Sequence, residues 1–267
     1  MPRFKLLQKI RNAKVPILKV DVSLGEVLNC DISISQLESS VLMTKLFWTY
    51  GQFDSRVAPL VFMIRYWAKM CKITSSTRPS PKLTNYQITM LVLHYLINMK
   101  EPLLIPIDNF VTKQIVMKDK GELAEKLRKT VIAEVQILKD NTNLANEMNL
   151  QELSQDFFKF YSKFNFENDV VSVTSNSVNA REAYDHNCIF IENPFDCEQN
   201  ASRNVSKNEL SQFKNLCLQS ENLLQSGDDK LDLSSFLNHI QKTSFRNGSN
   251  GKTESVDDML IREMHDY

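Results

Sequence analysis

Residues 83–99, LTNYQITMLVLHYLINM, contain no Asp, Glu, Lys or Arg. A helix that is apolar on every side has to be covered on every side. Neither this run nor any other in the chain is long enough to span a bilayer, so the rest of the chain has to supply the cover. With 267 residues, of which 42% are hydrophobic, the chain has the material for one large domain or two small ones with a genuine core. Its centre is therefore expected to be a helix buried among other helices.

The covering elements read as amphipathic helices. Residues 38–50 and 54–71 are two of them. In the second, Val57, Leu60, Val61, Ile64 and Ala68 recur at helical spacing, with Asp54 as N-cap and Pro59 in the early turns. TSSTRPSPK (74–82) is a loop, and Pro102 and Pro106 end the buried helix. Residues 110–150 read as helices with a polar connection. Residues 153–164 carry Phe157, Phe158, Phe160, Tyr161 and Phe164 on a helix, and 206–225 form a last long one. Strands enter at three places. VPILKVDVSLGEVLNCDISIS (15–35) turns at Gly25 and alternates apolar and polar up to Asp31; VVSV (170–173) and CIFI (188–191) are shorter candidates. A carboxylate in an alternating strand is unfavourable in a core, so Asp31 should face solvent or a site. From Ser226 the chain is rich in Ser, Asn, Gly and Asp and reads as a loose tail, with a further helix near 256–264.

Charge and cysteine content narrow the function. Formal net charge is zero, so any polyanion site has to be a local patch. The opening segment is the basic part: Arg3, Lys5, Lys9, Arg11, Lys14 and Lys19 all precede the first acid, Asp21. It is short and makes no convincing transit peptide. The cysteines (30, 71, 188, 197 and 217) are odd in number and widely spaced, which argues against a disulfide framework or zinc site and for a reducing compartment. Asn200-Ala-Ser202, Asn204-Val-Ser206 and Asn247-Gly-Ser249 match the glycosylation sequon, but without a secretory signal they read as coincidence.

The stretch IENPFDCEQNASRNVS (191–206) fits neither a helix nor a solvated loop. Pro194 removes a donor and holds Asn193 extended, while Phe195 and Val205 call for burial. It reads as a loop held tightly against something.

The order of these pieces is what identifies them. A strand ending Cys-Asp-Ile-Ser-Ile is followed by YGQFDSRVAPLVFMIRYWAK, LTNYQITMLVLHYL, PLLIP and IENPFDCEQNASRNVS. That series resembles the template-independent RNA nucleotidyltransferases with a poly(A)-polymerase-associated domain. YGQFDSRV, R-W-A, ITSS and Thr-Asn-aromatic look most like its mitochondrial poly(A)-adding members. The resemblance runs from about residue 14 to about 220. It implies an α+β, mainly helical fold: a remnant of the nucleotidyltransferase sheet (1–36), a helical poly(A)-polymerase central and associated domain (37–225) and the tail (226–267).

It also implies a chemistry: AMP added from ATP to an RNA 3′ end, by two Mg²⁺ or Mn²⁺ ions held on three carboxylates. Asp31 matches the third of these and would be both catalytic and metal-binding; by position alone a strand-end cap is the commoner role, and the family match is what favours the site. Arg65 and Lys69, four apart on one helix, match the cations that hold triphosphate oxygens. Tyr86 matches an aromatic that stacks on the incoming base, and Asn85 its small polar neighbour. Trp67 belongs to the core. The loop NPFD matches a motif usually written Asp-Pro-Phe-Glu that wraps the base edge. Asn193 and Asp196 stand at its polar contacts, and Gln199 where uridylyl-adding relatives carry His, which favours ATP over UTP. The resemblance further implies mitochondrial placement, with cytoplasmic as the alternative, and a possible homodimer.

The pattern breaks at one place. The family needs a Gly-Ser turn followed by Asp-x-Asp, and these 267 residues contain no Asp-x-Asp. Gly248-Ser249 with Asp257 and Asp258 sits in the tail with no strand to present it. Asp21 is too far along the chain from Asp31 to complete the pair, though it could face the same side of the sheet. Met43 stands near where relatives offer a small polar residue to the sugar. One carboxylate cannot hold two Mg²⁺ ions, so the chain by itself is expected not to polymerise. Three readings follow: an adenylyltransferase whose sequence is truncated here, a non-catalytic nucleotide-, RNA- or partner-binding relative, and a uridylyltransferase.

Overall fold

The computed structural model describes residues 3–12, 16–23, 27–33, 37–75, 80–107, 145–174, 186–225 and 235–240. The expectations for 108–144, for Gly248-Ser249 and for 256–264 lie outside these residues. The chain forms two compact units, Met1–Trp48 and Thr49–Tyr267. The fold is α+β and mainly helical, with a small open sheet.

In the first unit β1 (Arg3–Ile10), β2 (Ile17–Ser23) and β3 (Val27–Ile32) make an antiparallel sheet in sequence order. β1 is a strand that the sequence reading missed; it begins upstream of VPILKV. Its basic residues lie on alternate positions, Arg3 and Lys5, with Phe4 and Leu6 between them. Pairing register then sorts the sheet by chemistry. Phe4 faces Val22, Leu6 faces Val20, Val20 faces Cys30 and Leu18 faces Ile32, so these share one side. Lys5, Asp21 and Asn29, with Lys19 and Asp31, share the other. A bulge between Leu6 and Gln8 shifts the register of β1 at its far end. The apolar side is largely open: Phe4 is 68%, Leu28 50% and Leu6 47% exposed.

Helix α1 (Leu37–Phe53) carries the chain into the second unit. There α2 (Val57–Met70), α3 (Asn85–Asn98), α4 (Leu150–Lys163) and α5 (Lys207–Gln225) build the core, and a hairpin of β4 (Glu192–Asn193) and β5 (Asp196–Asn200) is attached to it. Helix α3 is the apolar run, and every residue from Gln87 to Ile97 is buried. The aromatic face of α4 packs on it. Tyr161 donates to the carbonyl of Leu91 (2.7 Å), and Tyr95 donates to Asp156 (3.0 Å). Trp67 is fully buried, 4.8 Å from the ring of Phe158, and donates to Ser220 Oγ (3.0 Å). It is a core residue, as expected.

Three local expectations need correction. Asp54 is not the N-cap of α2; Arg56 holds that position. Asp54 instead accepts from the Arg56 backbone (2.8 Å) and pairs with its guanidinium (2.8 Å), which also donates to Met148 O. VVSV and CIFI do not pair as strands. They meet at a single parallel bridge, Val171 to Ile191; the next carbonyl on that side, Val173, accepts instead from Ile107 N–H (2.9 Å), and the Ser172 carbonyl on the other side lies 2.7 Å from His94 Nδ1. Strand pairing moves downstream, into the segment read as a loop. The tail is not loose throughout: residues 235–240 are helical, with Phe236 fully buried 5.8 Å from Phe158.

Candidate nucleotide-binding site

Four segments of the second unit converge through side-chain hydrogen bonds: the end of α2, residues 80–84, the start of α3 and the turn after β5. Helix α2 ends in a left-handed residue, Lys72 (φ 58°), with Ile73 N–H returning to Ala68 O (3.1 Å). Lys82 Nζ donates to the Lys72 carbonyl, and Ser75 N–H to Leu83 O (3.1 Å), which ties α2 to the approach of α3.

The start of α3 is fixed by a capping box. Thr84 Oγ1 accepts from Gln87 N–H (3.3 Å), and Gln87 Oε1 accepts from Thr84 N–H (2.8 Å). Gln87 then uses its amide NH₂ in the other direction. Nε2 donates to Ala201 O (2.8 Å) and to Asn204 Oδ1 (2.8 Å). Asn204 Nδ2 donates to Lys82 O (2.7 Å) and Ser80 O (3.0 Å), and Ser206 N–H reaches Pro81 O (3.1 Å). One buried amide thus caps the helix and holds the turn that follows the hairpin.

The hairpin is closed by the same kind of bonding. Asn200 is buried; its Oδ1 accepts from Ser202 N–H (2.8 Å) and its Nδ2 donates to Ile189 O (2.9 Å). Asn193 Oδ1 accepts from Phe195 N–H (3.1 Å), and Asn193 Nδ2 donates to Gln199 Oε1 (2.7 Å). Pro194 is buried, Phe195 half-buried and Asp196 exposed at the tip.

This puts Asn85 and Tyr86 beside Gln87, on the helix end that carries the hairpin. Asn85 is exposed and Tyr86 half-buried. Burial pushes the Tyr86 phenol up to about 12, so it is a neutral aromatic at physiological pH. Arg65 (half-buried) and Lys69 (exposed) lie one turn apart on α2, Lys69 in its last turn. The cation nearest the start of α2, Arg56, is already engaged by Asp54. Asp31 belongs to the other unit. It is exposed on β3 opposite Lys19, on the same side of the sheet as Asp21, which accepts from Asn29 Nδ2 (3.2 Å).

Gln87 was not singled out from the sequence, and Asn200, Ser202 and Asn204 entered only as members of sequons. Thr84-x-x-Gln87 before an apolar run is a capping-box signature and would have marked Gln87. Asn200 and Asn204 are structural donors, which explains the two sequons without glycosylation.

Residues 149–199, from α4 to the hairpin, match the family model of the Cid1 family poly A polymerases. The chain is 29% identical over 235 residues to the mitochondrial poly(A) RNA polymerase of Homo sapiens, covering 86% of this chain and 38% of that protein. It is 31% identical over 208 residues to the Drosophila melanogaster protein of the same name, covering 78% of this chain and 33% of the other. A crystal structure of mtPAP in complex with ATPγS has the same fold, with a TM-score of 0.73 at 23% identity over 89% of this chain and 50% of that one. The chain is thus homologous to the RNA nucleotidyltransferases with a poly(A)-polymerase-associated domain. The mitochondrial poly(A) polymerases are among the members it is similar to. It spans about a third to a half of their length.

Members of this family imply divalent metal. Among the described residues no three His, Cys, Asp or Glu side chains are grouped to hold an ion. Asp31 and Asp21 face Lys19 and Asn29, a cation and an amide, rather than further carboxylates. These residues do not fit a two-ion centre.

Proposed function

We propose that this chain carries the nucleotide-selecting part of a polynucleotide adenylyltransferase, which adds AMP from ATP to RNA 3′ ends. The observation that supports it most is the fixation of the NPFD hairpin to the start of α3 through Gln87 and Asn204. In this reading Tyr86 stacks on the base, Asn85 lies at its edge, and Arg65 and Lys69 hold the triphosphate. Asn193, Asp196 and Gln199 read the base from the hairpin. Asp31 is the one family metal carboxylate that the chain supplies, and RNA is the acceptor. Mitochondrial placement follows from the relatives, whose names carry it.

The second reading, a nucleotide-binding relative without catalysis, is favoured by the missing Asp-x-Asp. Both readings share the proposed nucleotide site, and one titration tests it. The 267-residue chain should bind ATP tighter than AMP, and Arg65→Ala should weaken ATP about tenfold while leaving AMP nearly unchanged. Equal affinity for ATP and AMP would remove Arg65 and Lys69 from the site. Radiolabelled ATP with an oligoadenylate primer separates the readings. The isolated chain is expected to add nothing, and extension would show that it needs no further carboxylates.

A further inference from the structure

Residues 55–100 contain no Asp or Glu but seven Lys or Arg. The stretch runs through α2 and α3 and holds both cations of the proposed triphosphate site. Among the described residues the one ion pair is Arg56 with Asp54, an acid just outside the stretch. Arg65 and Lys69 therefore meet no carboxylate. Lys72, exposed and left-handed at the end of α2, adds a third cation. This part of the molecule can attract an anion, but it offers a metal ion no ligand.

The carboxylates described elsewhere are placed against a dication. Mg²⁺ bound with a nucleotide is held by one or two carboxylates together with the phosphates. In the sheet Asp31 stands opposite Lys19, and Asp21 stands opposite Lys5 and accepts from Asn29 Nδ2 (3.2 Å). A lysine in the cross-strand position repels a dication there. On the hairpin Asp196 and Glu198 are exposed, and no third His, Cys, Asp or Glu among the described residues is grouped with them.

We infer that the 267-residue chain takes its nucleotide as the metal-free triphosphate, and that Mg²⁺ competes with the chain for the phosphates instead of joining the complex. The inference rests on the proposed nucleotide site and names the species that this site binds. Its basis is charge. Mg²⁺ bridges the β- and γ-oxygens of a nucleoside triphosphate and neutralises part of their charge. Those are the oxygens that Arg65 and Lys69 would hold, and a charge-assisted hydrogen bond weakens as its acceptor loses charge. Where carboxylates complete the ion's shell, the ion links protein to phosphate. Where only cations meet the phosphate, ion and protein are rivals for the same oxygens.

The test is calorimetric titration of ATP into the full 267-residue chain, once in EDTA and once in excess Mg²⁺ at matched ionic strength. ATP should bind about tenfold tighter in EDTA. AMP, which lacks the β- and γ-phosphates, should bind alike in both. Lys69→Ala should bring the two ATP affinities within about threefold of each other, by weakening the metal-free complex more than the other. Equal ATP affinity in the two conditions, or tighter binding in Mg²⁺, would overturn the inference while the site stands. A gain in Mg²⁺ that Asp31→Asn removes would overturn it and place the ion on the sheet. If ATP binds in neither condition, the site itself is wrong and the inference falls with it.

Discussion

The two units solve the placement of polar groups in opposite ways. The sheet of the first unit separates its chemistry cleanly, with Phe4, Leu6, Leu18, Val20 and Leu28 on one side and Lys5, Lys19, Asp21 and Asp31 on the other. Most of both sides is nevertheless open. The second unit buries its polar groups and satisfies them: Gln87, Asn200 and Ser202 are within the core boundary and bonded. A buried amide with all its partners specifies one arrangement, because every alternative leaves a donor or acceptor unmet. An open face specifies a pattern but little geometry. The hairpin is therefore held in one arrangement, whereas the sheet only presents residues.

That contrast can be broken by mutation and by acid. The largest effect should come from His94, which is buried among Phe160, Tyr161 and Phe164 with no partner at Nε2. Burial pushes its pKa down from 6.5 to about 4, against the opposing bond to the Ser172 backbone. The unfolded chain takes up this proton first, so stability is full above pH 6.5 and falls as pH drops toward 4. The loss approaches about 3 kcal/mol. Urea unfolding between pH 7 and 4.5 should show this slope, and His94→Gln should flatten it. Gln87→Ala should come next. It deletes the Gln87 side-chain half of the α3 capping box and leaves Ala201 O and Asn204 Oδ1 without that donor, at about 2–3 kcal/mol. Nucleotide binding should fall with it. The smallest effect belongs to the open sheet. Leu28→Thr should change stability by less than about 0.5 kcal/mol while reducing self-association in sedimentation. A loss as large as that of Gln87→Ala would mean the apolar side is covered.

What the sequence made legible follows the same division. The helices could be read because their apolar spacing is local, and α3 because it has no charged residue to misplace. Asp31 could be placed on a polar strand face by alternation alone. β1 was missed because its charges, grouped at the chain start, drew the eye away from the alternation of Phe4 and Leu6. The candidate strands VVSV and CIFI failed because strand pairing depends on which backbone is free, and Ile107, far away in sequence, occupies the Val173 carbonyl. Residues 193–200 read as a loop for a similar reason. Their pairing rests on Asn200 and Asn193 side chains, not on a β-branched run. The roles of Gln87 and Asn204 depend on contacts more than a hundred residues apart, and only the cap half of Gln87 leaves a local signature.

The central claim is that the end of α2, the start of α3 and the hairpin form one nucleotide site. Hydrogen–deuterium exchange of the 267-residue chain with and without ATP tests it most directly. The account predicts slowed exchange together at 69–75, 80–87 and 193–206, and none of this protection in Tyr86→Ala. Protection confined to other segments, or unchanged exchange at saturating ATP, would contradict it.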